Sequence, residues 1–156
     1  MTIATVLLFI TVCLYAKNKE NVSYVNVDGK TYFGNEIRSG IFKTKIVSTD
    51  GTVLKFANRK VDAIMHENKL FERLPVIANR NDIVGMAMME YITSRDGLRL
   101  YRYTCYNQDC DFARGIVSDT YAEDYYFVFK DGKFYLRIDS SNAASALSFF
   151  GIQLIS

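Results

Sequence analysis

Four Asp-Gly dipeptides divide the chain and constrain what it can fold into. An Asp-Gly pair favours a two-residue hairpin turn, because both central residues need a positive φ, which glycine adopts freely and aspartate tolerates. Runs with alternating apolar residues flank these pairs, as expected for half-buried strands. The sequence therefore predicts hairpins at Asp28-Gly29, Asp50-Gly51, Asp96-Gly97 and Asp131-Gly132, with a weaker turn at Asn68-Lys69.

The segments beside the turns predict which strands pair. Residues 22–27 should meet 30–33, residues 41–47 should meet 53–56, and residues 125–129 should meet 134–138. The resulting fold class is mainly β, an antiparallel meander of hairpins that forms a sandwich or open barrel.

Alternation along two of these strands predicts which side chains face the core. Phe42, Thr44 and Ile46 share one face, which is the better candidate for burial. In the strand that follows Asp96-Gly97, alternation puts Leu98, Leu100 and Arg102 on one face and Arg99, Tyr101 and Tyr103 on the other. We expect the second, aromatic face to be exposed to solvent.

Residues 83–93 are apolar on every face and fit a helix or a buried strand. Gly85 inside the run and the hairpin signal directly after it favour a strand from about Met86 to Thr93, and a helix stays the alternative. A short C-terminal helix is expected at 142–150, because its alanines favour helix and Gly151 can end it. Either of the two preceding serines, Ser140 or Ser141, is expected to cap it.

Composition favours a single β-rich domain over residues 17–156. The chain has 49% hydrophobic and 23% charged residues, which argues against disorder. Its eleven Tyr and eleven Phe lean toward strands, because aromatic side chains fit a pleated, half-buried surface.

The first sixteen residues carry no charged side chain and predict an export signal. The apolar run has the right length and ends at Ala16, although no basic residue follows Met1. It is short for a membrane anchor, the residues before Cys13 are poor for lipidation, and a first buried strand is the alternative. We therefore expect a periplasmic, cell-surface or secreted protein, with membrane association only through an uncleaved or lipidated N-terminus.

Export changes how the cysteines are interpreted. If Cys13 leaves with the leader, Cys105 and Cys110 form an even pair that an oxidising compartment would join as a disulfide. The loop between them and nearby tyrosines form the predicted binding surface for a protein or peptide partner: Tyr101, Tyr103, Tyr106, Asp109, Tyr125 and Tyr126. The alternatives are that the disulfide only braces a turn and that the tyrosines line a core.

The charges are unevenly distributed although the net charge is only +2. This total argues against nucleic acid as a partner. A basic segment contains Arg38, Lys43, Lys45, Lys55, Arg59 and Lys60, and an acidic one contains Asp109, Asp111, Asp119, Glu123 and Asp124. Such segments are either solvated faces or surfaces that orient a partner.

No motif identifies a reaction, a metal site or a cofactor. His66 is the only histidine, and none of Ser39, Ser118 and Ser148 lies in a nucleophile elbow. The cysteine spacing matches no zinc finger or ribbon. The favoured function is thus a non-catalytic extracytoplasmic interaction or accessory module, with a small-ligand-binding barrel or a hydrolase using His66 as alternatives.

Residues 69–76, 89–92 and 97–103, which include the phrase Gly-x-x-Leu-Tyr-x-Tyr, resemble poorly characterised exported β-rich proteins of the Bacteroidota type. This resemblance implies an extracytoplasmic location and a β meander that ends in a helix. It implies no functional residue.

Overall fold

The structure is a computed structural model that describes residues 23–40, 42–78, 82–106 and 122–153. These ranges contain eleven strands, a short 3-10 turn at Asn58–Lys60 and one α-helix. In chain order they are β1 (Ser23–Val27), β2 (Lys30–Gly34), β3 (Glu36–Ser39), β4 (Lys43–Val47), β5 (Val53–Ala57), β6 (Val61–His66), β7 (Lys69–Ile77), β8 (Ile83–Arg95), β9 (Leu98–Tyr106), β10 (Ala122–Lys130), β11 (Lys133–Ile138) and α1 (Ala143–Phe149).

The strands form two antiparallel sheets. The large sheet has eight strands in the order β11-β10-β9-β8-β7-β6-β1-β2, and the small sheet has the order β3-β4-β5. Neither sheet closes into a barrel. The predicted antiparallel β architecture with a short C-terminal helix is confirmed, and its two-sheet form is sandwich-like.

Three of the Asp-Gly turns have the predicted geometry. Asp28 and Gly29 have φ values of 49° and 75°, and the turns at 96–97 and 131–132 are nearly identical. The turn between β6 and β7 lies one residue earlier than predicted, since Glu67 and Asn68 carry the positive φ values. The Asp50-Gly51 pair lies in a longer loop, in which the Asp50 carboxylate accepts a hydrogen bond from the Thr52 N–H.

The ambiguous apolar run is strand β8, which extends from Ile83 to Arg95 and so exceeds the predicted strand at both ends. The prediction for Phe42 is wrong. Thr44 and Ile46 are buried as predicted, but Phe42 lies before β4 and is 80% exposed. Because it lies in the β3–β4 connection, strand alternation does not determine its direction.

Register assigns side chains to the two faces of the large sheet, because directly paired residues point to the same side. On the first face, Ile64 pairs with Phe71, Phe71 with Glu90, and Glu90 with Arg102. On the second face, Tyr91 pairs with Tyr101, and Tyr101 with Phe127.

Three buried clusters result, two of them on the first face. The small sheet packs over one end of that face and buries Val25, Val27, Ile37, Ile46, Val61 and Ile64. Helix α1 covers the other end, where it buries Leu100, Val128, Ile138 and Leu147. The second face carries the aromatic cluster, formed by Ile77, Met89, Tyr101, Phe127 and Phe129.

Helix α1 ends as predicted but begins differently. Gly151 has a φ of 76°, and the Ile152 N–H donates to the Leu147 carbonyl at 2.9 Å, which closes the last turn as in a Schellman motif. The residue before the helix is Asn142 rather than either predicted serine. Ser141 instead donates to the Asp139 carboxylate through its N–H and hydroxyl, and these bonds hold the pKa of Asp139 below its ordinary value.

Candidate interaction surface

The first half of β8 is an apolar strand segment that is exposed to solvent. Ile83, Val84 and Met86 are 68%, 65% and 51% exposed, and Gly85 between them is exposed as well. Three apolar side chains are thus exposed to solvent within four consecutive residues. No charged residue lies between Asp82 and Glu90.

One edge of this segment has no strand partner within the described ranges. Its other edge pairs with β7, from Ile77 opposite Ile83 to Phe71 opposite Glu90. The register of β8 with β9 begins only at Glu90 and continues toward Arg95. Among the residues that the structure describes, the first half of β8 is therefore an edge strand, although β8 lies inside the large sheet.

A proline on β7 indicates the direction in which the backbone N–H and C=O groups of this edge point. Pro75 lies opposite Met86, and proline has no N–H to donate to a ladder. We infer that the pair occupies a non-hydrogen-bonded position, in which both backbones direct their polar groups away from each other. The N–H and C=O of Met86 then point toward the edge without a partner.

A bulge limits how much of this edge is regular. Register shifts between Val76 and Ile77, because Val76 pairs with Gly85 and Ile77 pairs with Ile83. Val84 is thus the extra residue, and a bulge of this kind bends the strand locally. The regular edge available to another strand begins at Gly85.

The tyrosines predicted to form one binding surface occupy two faces. Tyr101, Tyr103 and Tyr125 belong to the second face, whereas Tyr126 belongs to the first face and packs near α1. Tyr101 is 1% exposed, and Tyr103, Tyr125 and Tyr126 are half-buried. The expectation of an exposed aromatic side on β9 is wrong for Tyr101, because its ring packs edge-on against Phe129 with centroids 5.6 Å apart.

Tyr101 is tied to a partly buried ion pair on the second face. Its hydroxyl donates to Glu72 Oε2 at 2.5 Å, and Arg99 Nη2 donates to the same oxygen at 2.7 Å. The Arg99 guanidinium also lies over the Tyr91 and Tyr101 rings, at 5.0 and 5.3 Å from their centroids. Burial, together with the hydrogen bond to the Glu72 carboxylate, raises the pKa of Tyr101.

The first face carries a ladder of alternating charges across four strands. Glu90 accepts from Arg102 Nε at 3.2 Å, and its other oxygen lies 3.6 Å from Lys69 Nζ. Arg102 Nη1 is 3.6 Å from the Asp124 carboxylate, which accepts a hydrogen bond from the Thr104 hydroxyl. These charges are largely matched with one another, so the ladder supports the sheet rather than offering an unpaired charge to a ligand.

The remaining residues of the predicted loop surface are only partly placed. Cys105 is buried near the end of β9. Asp109 and Cys110 lie outside the described residues, as do Cys13 and the leader, and for Tyr106 the backbone alone is described. The Cys105–Cys110 disulfide and the recognition loop therefore stay predictions.

His66 ends β6 beside a serine and a glutamate. Its Nδ1 is 3.3 Å from the Ser23 hydroxyl and its Nε2 is 3.8 Å from the Glu67 carboxylate. Ser23 is 3% exposed, so its hydroxyl is not presented to a substrate, and the Glu67 side chain is 80% exposed. A nucleophile needs access to its substrate, and the buried Ser23 hydroxyl lacks it.

The described ranges lack two further features. Their His, Cys, Asp and Glu side chains form no group of three or more suited to a metal ion. They also include no helix with the length and apolar character needed to cross a bilayer.

Comparison with protein-family models, with curated proteins and with solved structures finds no match for the chain. The resemblance to exported proteins of the Bacteroidota type therefore stays a prediction that rests on strand patterning.

Proposed function

We propose that the protein is a non-catalytic extracytoplasmic interaction module that binds an extended segment of a protein partner by strand addition to β8. The location follows the prediction from the uncharged leader. The observation that carries the binding mode is the exposed apolar segment from Ile83 to Met86 beside an edge without a described partner. Strand addition uses such an edge, because backbone hydrogen bonds supply affinity and alternate side chains supply specificity.

The chemistry of the partner follows from the side chains of this segment. It carries no charge between Asp82 and Glu90, so a charged residue directly opposite it would lose solvation without gaining an ion pair. An extended segment rich in uncharged, β-branched or aromatic residues fits best, because such residues pack well on a pleated apolar surface.

A peptide segment fits this edge better than a second copy of the chain. A stable dimer usually buries about 800 Å² on each partner, far more than a pair of strands only a few residues long supplies. Side chains on natural edges often block such pairing, and lysine is the commonest of them. Between Asp82 and Glu90 the segment has no lysine, which leaves the edge open to a strand.

A phage-displayed library of random twelve-residue peptides tests this proposal. The full chain should enrich uncharged β-rich peptides, and Met86→Lys should abolish their binding because it places a charge against the added strand. Tyr135→Lys is the matched control, since Tyr135 is 57% exposed on β11, and it should bind as the wild type does. Hydrogen exchange should show that bound peptide protects the Met86 amide.

Three outcomes would contradict strand addition at β8. These are equal binding by Met86→Lys, a Met86 amide that exchanges equally fast with and without peptide, and a wild-type dimer that Met86→Lys converts to a monomer. The last result would assign the edge to a second copy of the chain.

A further inference from the structure

The outward face of the small sheet carries a row of cations. Register places Arg38 opposite Lys45, and Lys45 opposite Lys55, so that one basic residue from each strand lies side by side. All three are exposed, and Lys43, two residues along β4, is exposed on the same face. The opposite face of this sheet packs on the aliphatic core, which leaves the cations pointing away from the protein.

Few carboxylates neutralise this basic face, which we define as Arg38, Lys43, Lys45 and Lys55. Glu36 lies 2.5 Å from Arg38 Nε. Within the described ranges, the three lysines form no ion pair at 4 Å or less. Like charges directly opposite each other destabilise a sheet, so the row lowers stability until an anionic partner lies against it.

Apolar side chains flank the cations. Val53, opposite Val47 at one end of the basic face, is 48% exposed, and Val47 beside it is half-buried. An acidic protein surface would satisfy the lysines but leave Val53 in water. An anionic bilayer supplies both negative phosphates and, just beneath them, an apolar layer.

We propose that the basic face binds the surface of an anionic lipid bilayer, with its lysines at the phosphates and Val53 in the interface. This contact is separate from the N-terminal leader and from the β8 edge, so it does not depend on the proposed strand addition. It would hold the small sheet against the membrane.

Cosedimentation of the full chain with vesicles tests the proposal. The vesicles contain phosphatidylcholine with or without phosphatidylglycerol. Insertion of the apolar leader needs no anionic lipid, so the difference between the two kinds of vesicle measures charge-dependent binding. We expect stronger binding with phosphatidylglycerol, and this increment should fall as salt rises, because salt screens exposed charges.

The double variant K45Q/K55Q should lower the charge-dependent partition coefficient roughly 30-fold, since each lysine near an anionic surface contributes about a fivefold factor. The control is K130Q/K133Q, which removes two exposed and directly opposed lysines from the β10–β11 hairpin. It should change binding little. A thermal melt provides a second readout, because K45Q/K55Q should unfold at the same or a higher temperature once the like charges are removed.

Val53→Ser separates a bilayer from a soluble polyanion. It should weaken vesicle binding severalfold while leaving binding to polyglutamate unchanged. The proposal fails if K45Q/K55Q binds phosphatidylglycerol vesicles as the wild type does. It also fails if polyglutamate binds while vesicles show no charge-dependent binding, which would assign the basic face to an acidic macromolecule.

Discussion

The two ends of the large sheet form their cores in different ways. At the β1–β2 end, the buried residues are aliphatic and lie between two sheets, with Val25 at 0% and Ile46 at 1% exposed, while Tyr32 and Phe56 pack at their margin. At the β9–β11 end, aromatic rings such as Phe127 and Phe129 pack on the second face while α1 covers the first. One continuous sheet thus supports burial on a single face at one end and on both faces at the other.

The difference determines where charge is tolerated. At the aliphatic end the lysines lie on the outward layer of the small sheet, away from the core. At the aromatic end Glu72 and Arg99 border the core itself, and they are held by the Tyr101 hydroxyl and by stacking on tyrosine rings. Glu72 and Arg99 are therefore bound into the packing of the aromatic end, whereas the lysines of the small sheet are exposed to solvent.

The largest expected effect concerns whether the two ends unfold together. Phe127→Ala removes a ring that is 1% exposed and should lower the free energy of unfolding by about 3–5 kcal/mol. If the shared sheet couples the ends, two probes of urea unfolding should report the same loss of unfolding free energy. These probes are tyrosine fluorescence and hydrogen exchange of the Val25 amide. Ile46→Ala is the reciprocal variant and should cost about 2–5 kcal/mol by both probes. A loss confined to one probe would make the two ends independent.

The turns could be predicted because their cause is local. A two-residue hairpin turn needs a positive φ at two successive residues. Asp131 and Gly132 adopt these values because of their residue types, without help from the surrounding structure. The β6–β7 turn was misplaced by one residue because Glu67 adopts a positive φ that its residue type does not favour. Hairpin pairing followed from the turns, and so did most of the sheet.

Burial could not be predicted because it depends on neighbours distant in the chain. Both faces of β9 are apolar enough to be a core, and Tyr101 is buried because β10 brings Phe127 and Phe129 beside it. An apolar run such as β8 is typical of a buried strand, yet its first half has only one described strand neighbour. The grouping of Tyr125 and Tyr126 on one surface was wrong for a reason visible in the sequence, because adjacent residues of a strand face opposite sides.

A glycine at the contact between the two sheets tests how closely they pack at the aliphatic end. A Cβ on Gly34 would lie 2.4 Å from the Val47 carbonyl oxygen and 2.6 Å from Ile46 Cγ1, so the backbones of β2 and β4 would have to separate. Gly34→Ala should cost about 1–3 kcal/mol, as overpacking does. Gly85→Ala is the matched control, because a Cβ there has nothing within 4 Å. Equal urea midpoints for the two variants would show that the sheets do not pack this closely.

The smallest effect tests whether the Glu72 contact stabilises the aromatic end. Tyr101→Phe keeps the buried ring and removes only its bond to Glu72, which should cost about 0.5–1.5 kcal/mol at pH 7. Tyr91→Phe is the control, since the Tyr91 hydroxyl donates to the exposed Ser94 hydroxyl at 2.9 Å, and it should cost less.

The pH dependence of the Tyr101→Phe effect separates this contact from packing. The folded state raises the pKa of Tyr101 above that of an unfolded tyrosine, which is about 10. The contribution of the hydroxyl to stability is thus complete below about pH 10 and is lost as the pH rises through the folded pKa, because the unfolded chain releases this proton first. Urea midpoints at pH 7, 9 and 11 should show wild type and Tyr101→Phe converging only at the highest pH. A gap that stays constant would mean that the variant acts through ring packing and that Glu72 contributes nothing at this end.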